Sequence, residues 1–176
     1  MKPYIFLDRD GTINIEKDYL YKIEDFEFEK ASVEGLKHLQ EKGYGLIIVT
    51  NQSGIARQYY TMDDVQRLHE YMQMQLSEAG VCIEKIYVCP HGPNDNCECR
   101  KPKLGLYYQA IEEFNIDVSR SYLVGDRLRD IIPAKQLGAR GALVQTGHSG
   151  AEDLSSIEKE SIFENLLAFA KVIPHV

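Results

Sequence analysis

Short apolar runs alternate with longer amphipathic stretches along the whole chain, and this pattern limits the possible folds more than any other feature. The runs are rich in Val, Ile, Leu and Tyr, as strands buried on both faces of a sheet are. Alternation of such strands with helices predicts an α/β fold, in which helices cover both faces of a doubly wound parallel sheet. The predicted strands are residues 4–7, 46–50, 86–89, 122–125 and 142–145.

The amphipathic stretches predict five helices. Thr61 is suited to be the N-cap of the second, and Gly43, Gly80 and Gly138 stand where helices should stop. The sequence has no linker, repeat or low-complexity tract, so we expect one compact domain over residues 1–176, with the last helix closing it. The predicted helices lie near residues 32–42, 62–79, 104–114, 128–138 and 157–171.

The charge balance disfavours two classes of partner. The chain carries 27 acidic and 20 basic residues, which gives a net charge of −7. Proteins that bind nucleic acids or membrane surfaces usually present a basic patch, so neither partner is expected. No apolar run reaches the length of about 18 residues that a membrane span requires, and no secretory signal is evident. We therefore expect a cytoplasmic monomer that acts on a small molecule.

Polar side chains follow three of the predicted strands. Asp8 and Asp10 come directly after the first strand, Thr50 ends the second, and Asp126 follows the fourth. In open parallel sheets, ligands bind beyond the carboxyl ends of the strands. The topology therefore predicts that these side chains meet at one edge of the sheet, although they are far apart in sequence.

The grouped residue types indicate phosphoryl transfer. Asp8 and Asp126 would form a hard oxygen site of the kind that Mg²⁺ prefers together with a phosphate, and Asp8 could attack phosphorus as a covalent nucleophile. Lys101 would neutralise the charge, while Thr50 and backbone N–H groups would hold the phosphate oxygens. Asp10 could protonate the leaving alkoxide and then activate a water molecule.

Three thiols and one imidazole are concentrated in the loop 89–99, just before the basic pair Arg100 and Lys101. This soft set of four ligands suits tetrahedral Zn²⁺, and a full shell makes the zinc structural; the alternative is free cysteines beside a surface histidine. We expect the loop to fix the basic pair over the phosphate. Cys82 lies outside the cluster and should be a small buried apolar residue. The predicted ligands are Cys89, His91, Cys97 and Cys99.

Three other polar residues carry weaker signals. His69 falls inside a predicted helix and should be a surface or half-buried packing residue. His148 lies in a loop on the ligand side of the sheet, where a solvated position is favoured over a binding role. Arg57 could reach a second phosphate of the substrate, or could simply be an exposed charge.

The ordered motifs "DRDGT", "TNQSG", "RKP" and "GDRLRD" resemble those of the haloacid dehalogenase-like (HAD) hydrolase superfamily, and the likeness extends over residues 4–146. The resemblance implies a Rossmann-like, HAD-like fold and a Mg²⁺-dependent phosphatase that forms an aspartyl-phosphate. More narrowly, "FLDRDGTIN", "VTNQSGIAR" and "CPHGPNDNCECRKP" resemble the subfamily that contains heptose-bisphosphate and histidinol-phosphate phosphatases.

The resemblance also assigns roles to residues. Asp8 would be the nucleophile and a Mg²⁺ ligand, Asp10 the acid/base and a ligand through its backbone carbonyl, and Asp126 the third protein ligand. Thr50 and Lys101 would steady the transferring phosphoryl group. The substrate-binding residues implied in this way are Glu16, Lys17, Asp18, Tyr19, Asn51, Gln52, Ser53, Arg100, Lys101 and Arg127.

The "NQSGIAR" stretch favours hydrolysis of the 7-phosphate of D-glycero-D-manno-heptose 1,7-bisphosphate, a step in the synthesis of nucleotide-activated heptose. Two features depart from the heptose pattern: heptose phosphatases commonly read "GDK" where this chain has Gly125-Asp126-Arg127, and Gln58 stands where a glycine is usual. The first alternative is therefore a histidinol-phosphate phosphatase, since those enzymes can read "GDR".

Two further alternatives belong to other classes. Polynucleotide 3′-phosphatases have similar motifs but need a basic track, which the net charge disfavours. A non-enzymatic phospho-accepting domain is disfavoured by Asp10, because a stable phospho-acceptor has no use for a built-in base. Only 39 residues separate Asp10 from Thr50, so we expect no separate cap domain and an open site.

Overall fold

The computed structural model describes all 176 residues and contains one six-stranded sheet whose neighbouring strands are all parallel. Its order is β3-β2-β1-β4-β5-β6, so the chain winds outward from β1 in one direction and then in the other. The switch point lies between β1 and β4, which confirms the predicted doubly wound α/β fold. The strands are β1 (Tyr4–Leu7), β2 (Gly45–Asn51), β3 (Lys85–Cys89), β4 (Tyr122–Gly125), β5 (Arg140–Val144) and β6 (Ile162–Phe163).

Six α-helices connect and cover these strands. The boundary signals of the sequence are confirmed, because Thr61 and Asp64 form a reciprocal capping box, and Gly43, Gly80 and Gly138 adopt positive φ angles of 96°, 81° and 79°. The helices are α1 (Ser32–Glu41), α2 (Met62–Glu78), α3 (Gly105–Phe114), α4 (Leu128–Ile131), α5 (Pro133–Leu137) and α6 (Leu166–Val172).

The prediction of a single helix over residues 128–138 is wrong. The segment forms α4 and α5, with Pro133 as the first residue of the second helix. Proline has no N–H to donate and is tolerated only in the first turn of a helix, so a continuous helix through this position is disfavoured.

The C-terminal prediction is also partly wrong, because residues 157–171 do not form one helix. Ile162 and Phe163 add a sixth strand beside β5, and α6 begins only after Asn165, whose side chain accepts a hydrogen bond from the Ala168 N–H at 2.9 Å. A strand of two residues is too short to produce a recognisable period.

The core has two layers, one on each face of the sheet, as expected for strands buried on both sides. Alternate residues of β1 point into different layers: Ile5 packs with residues of α1 and α6, whereas Phe6 packs edge-to-face on Tyr107 of α3. The segment between β1 and β2 contains α1 and no inserted domain, so the expected absence of a cap holds. None of the helices combines the length and apolar character needed to cross a bilayer.

Candidate active site

Three carboxyl groups converge where β1 and β4 end. Asp8 follows β1 and donates its backbone N–H to the Val124 carbonyl at 2.9 Å, which fixes its position beside β4. Asp126 follows β4, and Asp130 lies in α4, one helical turn further on. All three are buried, and one oxygen of each lies within 4.8 Å of the others. The sequence predicted the meeting of Asp8 with Asp126 but not the presence of Asp130, although "GDRLRD" contains it.

Lys101 neutralises part of this charge. Its Nζ lies 2.8 Å from Asp8 Oδ1, 2.8 Å from Asp130 Oδ1 and 2.7 Å from the Val49 carbonyl oxygen. Burial lowers the pKa of Lys101, but the two carboxylates outweigh burial and raise it above its ordinary value. The backbone of Lys101 is held by a reciprocal pair of hydrogen bonds with the Asn51 side chain, at 3.0 and 3.2 Å.

One ammonium group does not balance three carboxylates. Burial and then the charge of Asp130 raise the pKa of Asp8 to about 6, against the opposing effect of Lys101. Burial and then the charges of Asp8 and Asp130 raise the pKa of Asp126 to about 8. Asp126 Oδ1 is buried without a hydrogen-bond partner, although buried polar atoms are normally paired. These residues therefore fit a divalent cation with oxygen ligands, such as Mg²⁺.

Two glycines are packed against Asp126. Gly11 and Gly147 have φ angles of +79° and +56°, and a Cβ atom at either position would overlap the Asp126 carboxylate. The loop after β5 closes the site further, because the backbone N–H of His148 donates to Asp126 Oδ2 at 2.7 Å. The sequence placed His148 on the ligand side of the sheet, and its side chain does line the cavity, but no motif predicted the contact between its backbone and Asp126.

Asp10 stands apart from the three buried acids. Arg9 binds both of its oxygens at 2.9 Å, and Asn14 and Gln52 each donate to it at 3.0 Å. Burial raises the pKa of Asp10, but Arg9 and these hydrogen bonds outweigh burial and hold the pKa below its ordinary value. Asp10 is therefore a carboxylate in this arrangement, and it faces the cavity beside the site.

Thr50 and Gln52 are linked at the end of β2. Gln52 Nε2 donates to Thr50 Oγ1 at 2.8 Å, and Tyr60 donates its hydroxyl to Gln52 Oε1 at 2.7 Å. Both Thr50 and Gln52 are buried. Gln52, which the resemblance assigns to the substrate, is thus mainly occupied with its own neighbours.

A cavity of about 250 Å³ opens beside Asp10. Lys17 does not line it, because its ammonium group lies 3.1 Å from Glu27. Four arginines outnumber the three acidic residues in its lining, Asp10, Glu16 and Asp18, so the cavity has a small positive excess within an acidic chain, and its guanidinium groups suit an anionic ligand. Of the implied substrate residues, the lining includes Glu16, Asp18, Tyr19, Asn51, Gln52, Ser53, Arg100 and Arg127; Arg57, Arg129 and His148 line it as well.

The predicted zinc ligands form a second cluster. The Cys89 and Cys99 sulfurs are 3.2 Å apart, His91 Nδ1 lies 3.1 Å from Cys99 Sγ, and Cys97 Sγ lies 3.9 Å from Cys89 Sγ. Zn–S bonds of about 2.3 Å give tetrahedral edges of about 3.8 Å, so the cluster is close to the size that Zn²⁺ requires. Arg100 donates to the His91 carbonyl at 3.1 Å, which ties the cluster to the cavity.

Two expectations about other residues are wrong. Cys82 is exposed, because Val81 and Ile83 on either side of it point into the core. His69 is buried rather than peripheral, since its face of α2 packs over Arg9.

Comparison with known proteins identifies the family. A family model described as HAD-hydrolase-like matches residues 98–169. A D-glycero-beta-D-manno-heptose-1,7-bisphosphate 7-phosphatase of Haemophilus ducreyi is 47% identical over 83% of this chain and 85% of its own length. The enzyme of the same name in Pasteurella multocida is 41% identical over 98% and 97%. This chain belongs to the heptose-bisphosphate phosphatase family of HAD-like hydrolases.

A solved structure supports this assignment. The D,D-heptose 1,7-bisphosphate phosphatase of B. bronchiseptica, complexed with magnesium and phosphate, superposes on this phosphatase with a TM-score of 0.87. It is 32% identical, and the match covers 96% of both chains. A relative of Photorhabdus laumondii, 43% identical over 96% of this chain and 94% of its own, bears the name of the alpha anomer instead of the beta. The family therefore includes enzymes named for either anomer.

Proposed function

We propose that this phosphatase hydrolyses the 7-phosphate of D-glycero-D-manno-heptose 1,7-bisphosphate, in the synthesis of nucleotide-activated heptose. The observation that carries the proposal is the pairing of a nucleophile site with a cation-rich cavity. Asp8 lies beside the Lys101 ammonium group, and four arginines line the adjoining cavity. Relatives that match most of the chain are named for this substrate, which supports the same conclusion.

Magnesium would be held by the side chains of Asp8 and Asp126 and by the backbone carbonyl of Asp10. The unpaired Asp126 Oδ1 and the excess of buried carboxylates support this choice, as does the magnesium bound by the B. bronchiseptica enzyme. When bound, the ion supplies positive charge that neutralises the phosphate oxygens. Asp130 would act through Lys101, since it contacts the same ammonium group as Asp8.

The proposed reaction has two steps that share one proton carrier. Asp10 is a carboxylate in the free protein, so the negative charge of the bound phosphate would have to raise the pKa of Asp10 enough for it to take up a proton from solvent first. An Asp8 oxygen then attacks phosphorus, the P–O bond to the sugar breaks, and the leaving oxygen takes that proton from the Asp10 carboxyl group. A water molecule then attacks the phosphorus of the aspartyl-phosphate, gives its proton to the Asp10 carboxylate, and releases phosphate and Asp8. Lys101 and Thr50 would steady the phosphoryl group in both steps. With a pKa of about 6, Asp8 is mainly ionised at neutral pH, as a nucleophile must be.

We further propose that Cys89, His91, Cys97 and Cys99 hold a structural Zn²⁺ ion. Four protein ligands leave no open position on the metal, so its contribution would be to the shape of the loop. The hydrogen bond from Arg100 to the His91 carbonyl would transmit that shape to the cavity.

A panel of substrates tests the proposal. Phosphate release should be measured with Mg²⁺ for both anomers of the heptose bisphosphate, for heptose 7-phosphate, for histidinol phosphate and for a 3′-phosphorylated oligonucleotide. The heptose bisphosphate should give the highest kcat/KM, with the 1-phosphate retained in the product. A kcat/KM for histidinol phosphate that is larger by orders of magnitude would favour the reading suggested by Arg127, which stands where heptose phosphatases commonly have lysine.

A further inference from the structure

A fully buried cation lies directly behind Asp10. Arg9 has no solvent exposure and is the largest side chain in the molecule that is so deeply buried. Its Nη2 contacts both Asp10 oxygens at 2.9 Å, and its Nε lies 3.2 Å from Asp10 Oδ1. The guanidinium group therefore binds the carboxylate through several N–H···O hydrogen bonds, which fix the orientation of the carboxylate as well as its distance from Arg9.

The guanidinium group is itself anchored from the other side. Arg9 Nη1 lies 2.9 Å from His69 Nε2 on α2, and Nη2 donates to the Leu20 carbonyl at 3.3 Å. Burial and then the charge of Arg9 lower the pKa of His69 to about 3. His69 is therefore neutral, and its Nε2 accepts the hydrogen bond from Arg9.

His69 has no contact with the cavity that would hold the substrate. It lies on the far side of Arg9 and is absent from the cavity lining, whereas Asp10 faces the cavity. A chain of contacts thus runs from α2 through a buried cation to the carboxylate that we assign to proton transfer. Asn14 and Gln52 complete the set of donors to Asp10.

Stability alone does not account for this arrangement. Removing a charge from water is costly, and well-packed apolar side chains often stabilise an interior as well as a buried ion pair does. A bidentate pair does restrict the rotation of a carboxylate, and proton transfer requires heavy atoms within hydrogen-bond reach, about 2.6–3.2 Å apart.

We propose that Arg9 and His69 are positioning residues for Asp10: His69 holds the guanidinium group, and the guanidinium group holds the carboxylate in line with the leaving oxygen and the attacking water. This inference rests on the proposed role of Asp10. Neither Arg9 nor His69 lines the cavity, so we expect the pair to affect proton transfer by Asp10 more than binding of the phosphate.

The test compares two substrates that differ in their need for an acid. A sugar phosphate leaves as an alkoxide that needs a proton, whereas p-nitrophenyl phosphate leaves as a stabilised phenolate that does not. The value of kcat/KM reports the phosphorylation step for each. His69→Leu should lower kcat/KM about 10-fold for the heptose bisphosphate, a fraction of the ~10²–10⁴-fold that acid–base catalysis supplies. It should change kcat/KM for p-nitrophenyl phosphate less than about 2-fold.

Further variants keep the test decisive. His69→Gln retains an acceptor for Arg9 and should recover most of the loss, while Arg9→Lys retains the charge without the bidentate grip and should reproduce the selective loss. His175→Leu, which changes an exposed histidine at the C-terminus, is the matched control. Circular dichroism should verify folding, and if His69→Leu does not fold, the comparison of Arg9→Lys with the unmodified enzyme decides the question.

Equal losses on both substrates, or full activity of the variants on the sugar phosphate, would overturn the inference. Failure of the proposed phosphatase function would give a result that differs from failure of the inference about Arg9 and His69. In that case the unmodified protein would release no phosphate from either substrate, or Asp8→Asn would remain active.

Discussion

Lys101 pairs with two of the three buried carboxylates at the edge of the sheet, Asp8 and Asp130, and leaves Asp126 without a charged partner. Its Oδ2 accepts a hydrogen bond from His148 N–H, while its Oδ1 has no partner. Its orientation therefore depends on what is packed around it. Gly11 and Gly147 leave space for the carboxylate only because neither has a side chain.

Substitution of one of these glycines should weaken magnesium binding. In Gly147→Ala the added methyl group would overlap Asp126, and φ of +56° strains any residue other than glycine, so we expect the apparent Kd for Mg²⁺ to rise at least about 10-fold. The dependence of activity on Mg²⁺ concentration measures this. Gly150→Ala in the same loop meets no atom within 4 Å and is the control. An unchanged Kd in Gly147→Ala would show that Asp126 does not hold the ion.

Gln58 carries a local cost in backbone strain. It stands where a glycine is usual in the heptose motif, and its φ is +61°. A left-handed conformation costs an L-residue about 1–2 kcal/mol, so Gln58→Gly should raise the free energy of unfolding by about 1 kcal/mol. That corresponds to an increase in Tm of about 2–4 °C.

A matched substitution in a helix should have the opposite sign. Gln66 is exposed in the second turn of α2, inside the helix, where glycine costs about 1 kcal/mol relative to good helix formers. Urea or thermal unfolding of Gln58→Gly and Gln66→Gly should therefore move the midpoint in opposite directions. A loss of stability in both would mean that Gln58 makes contacts that outweigh its backbone strain.

At the scale of elements, the zinc loop connects β3 to the cation-rich cavity. Cys97→Ser should remove most of the bound zinc, because a hydroxyl group is a much poorer ligand than a thiolate. Since His91 anchors Arg100, kcat/KM for the bisphosphate should fall about 10-fold as well. Elemental analysis and steady-state kinetics provide the two readouts. Cys82→Ser is the control, because Cys82 is exposed and lies outside the cluster. Full zinc content in Cys97→Ser would contradict the proposed ligand set.

Elements were predictable where the sequence pattern was long. Five strands and the first three helices agree with the sequence prediction to within about two residues, because buried runs and capping signals fix their limits. The segment around Pro133 and the strand Ile162–Phe163 did not agree with the sequence prediction. In both cases a short local feature, a missing N–H or a two-residue pairing with β5, decides the structure.

For the molecule as a whole, parallel topology made the centre of the site predictable. Asp8 and Asp126 meet because they follow the neighbouring strands β1 and β4, and Thr50 lies near the end of β2 on the other side of β1. The residues around this centre were harder to predict from the sequence. Arg129 and His148 line the cavity while Lys17 turns towards Glu27, because side-chain directions beyond a strand end follow from loop packing and not from a period. The buried pair of Arg9 and His69 was missed for the same reason.

The net charge of −7 is a sum over the whole chain and does not describe the cavity. Arg57, Arg100, Arg127 and Arg129 give an acidic chain a local site for anions. The monomeric state, the single domain over residues 1–176 and the cytoplasmic location remain predictions from the sequence. Light scattering on the purified protein would test the first of these.

The central claim is that Asp8 carries the phosphoryl group during turnover. It is tested most directly by mixing the enzyme with Mg²⁺ and heptose bisphosphate, quenching with acid within the first turnover, and locating phosphate by peptide mass spectrometry. We expect a phosphoryl group on Asp8 that hydroxylamine removes, with none in Asp8→Asn. Phosphate release without any phosphorylated aspartate, or a phosphoryl group on another residue, would contradict the account.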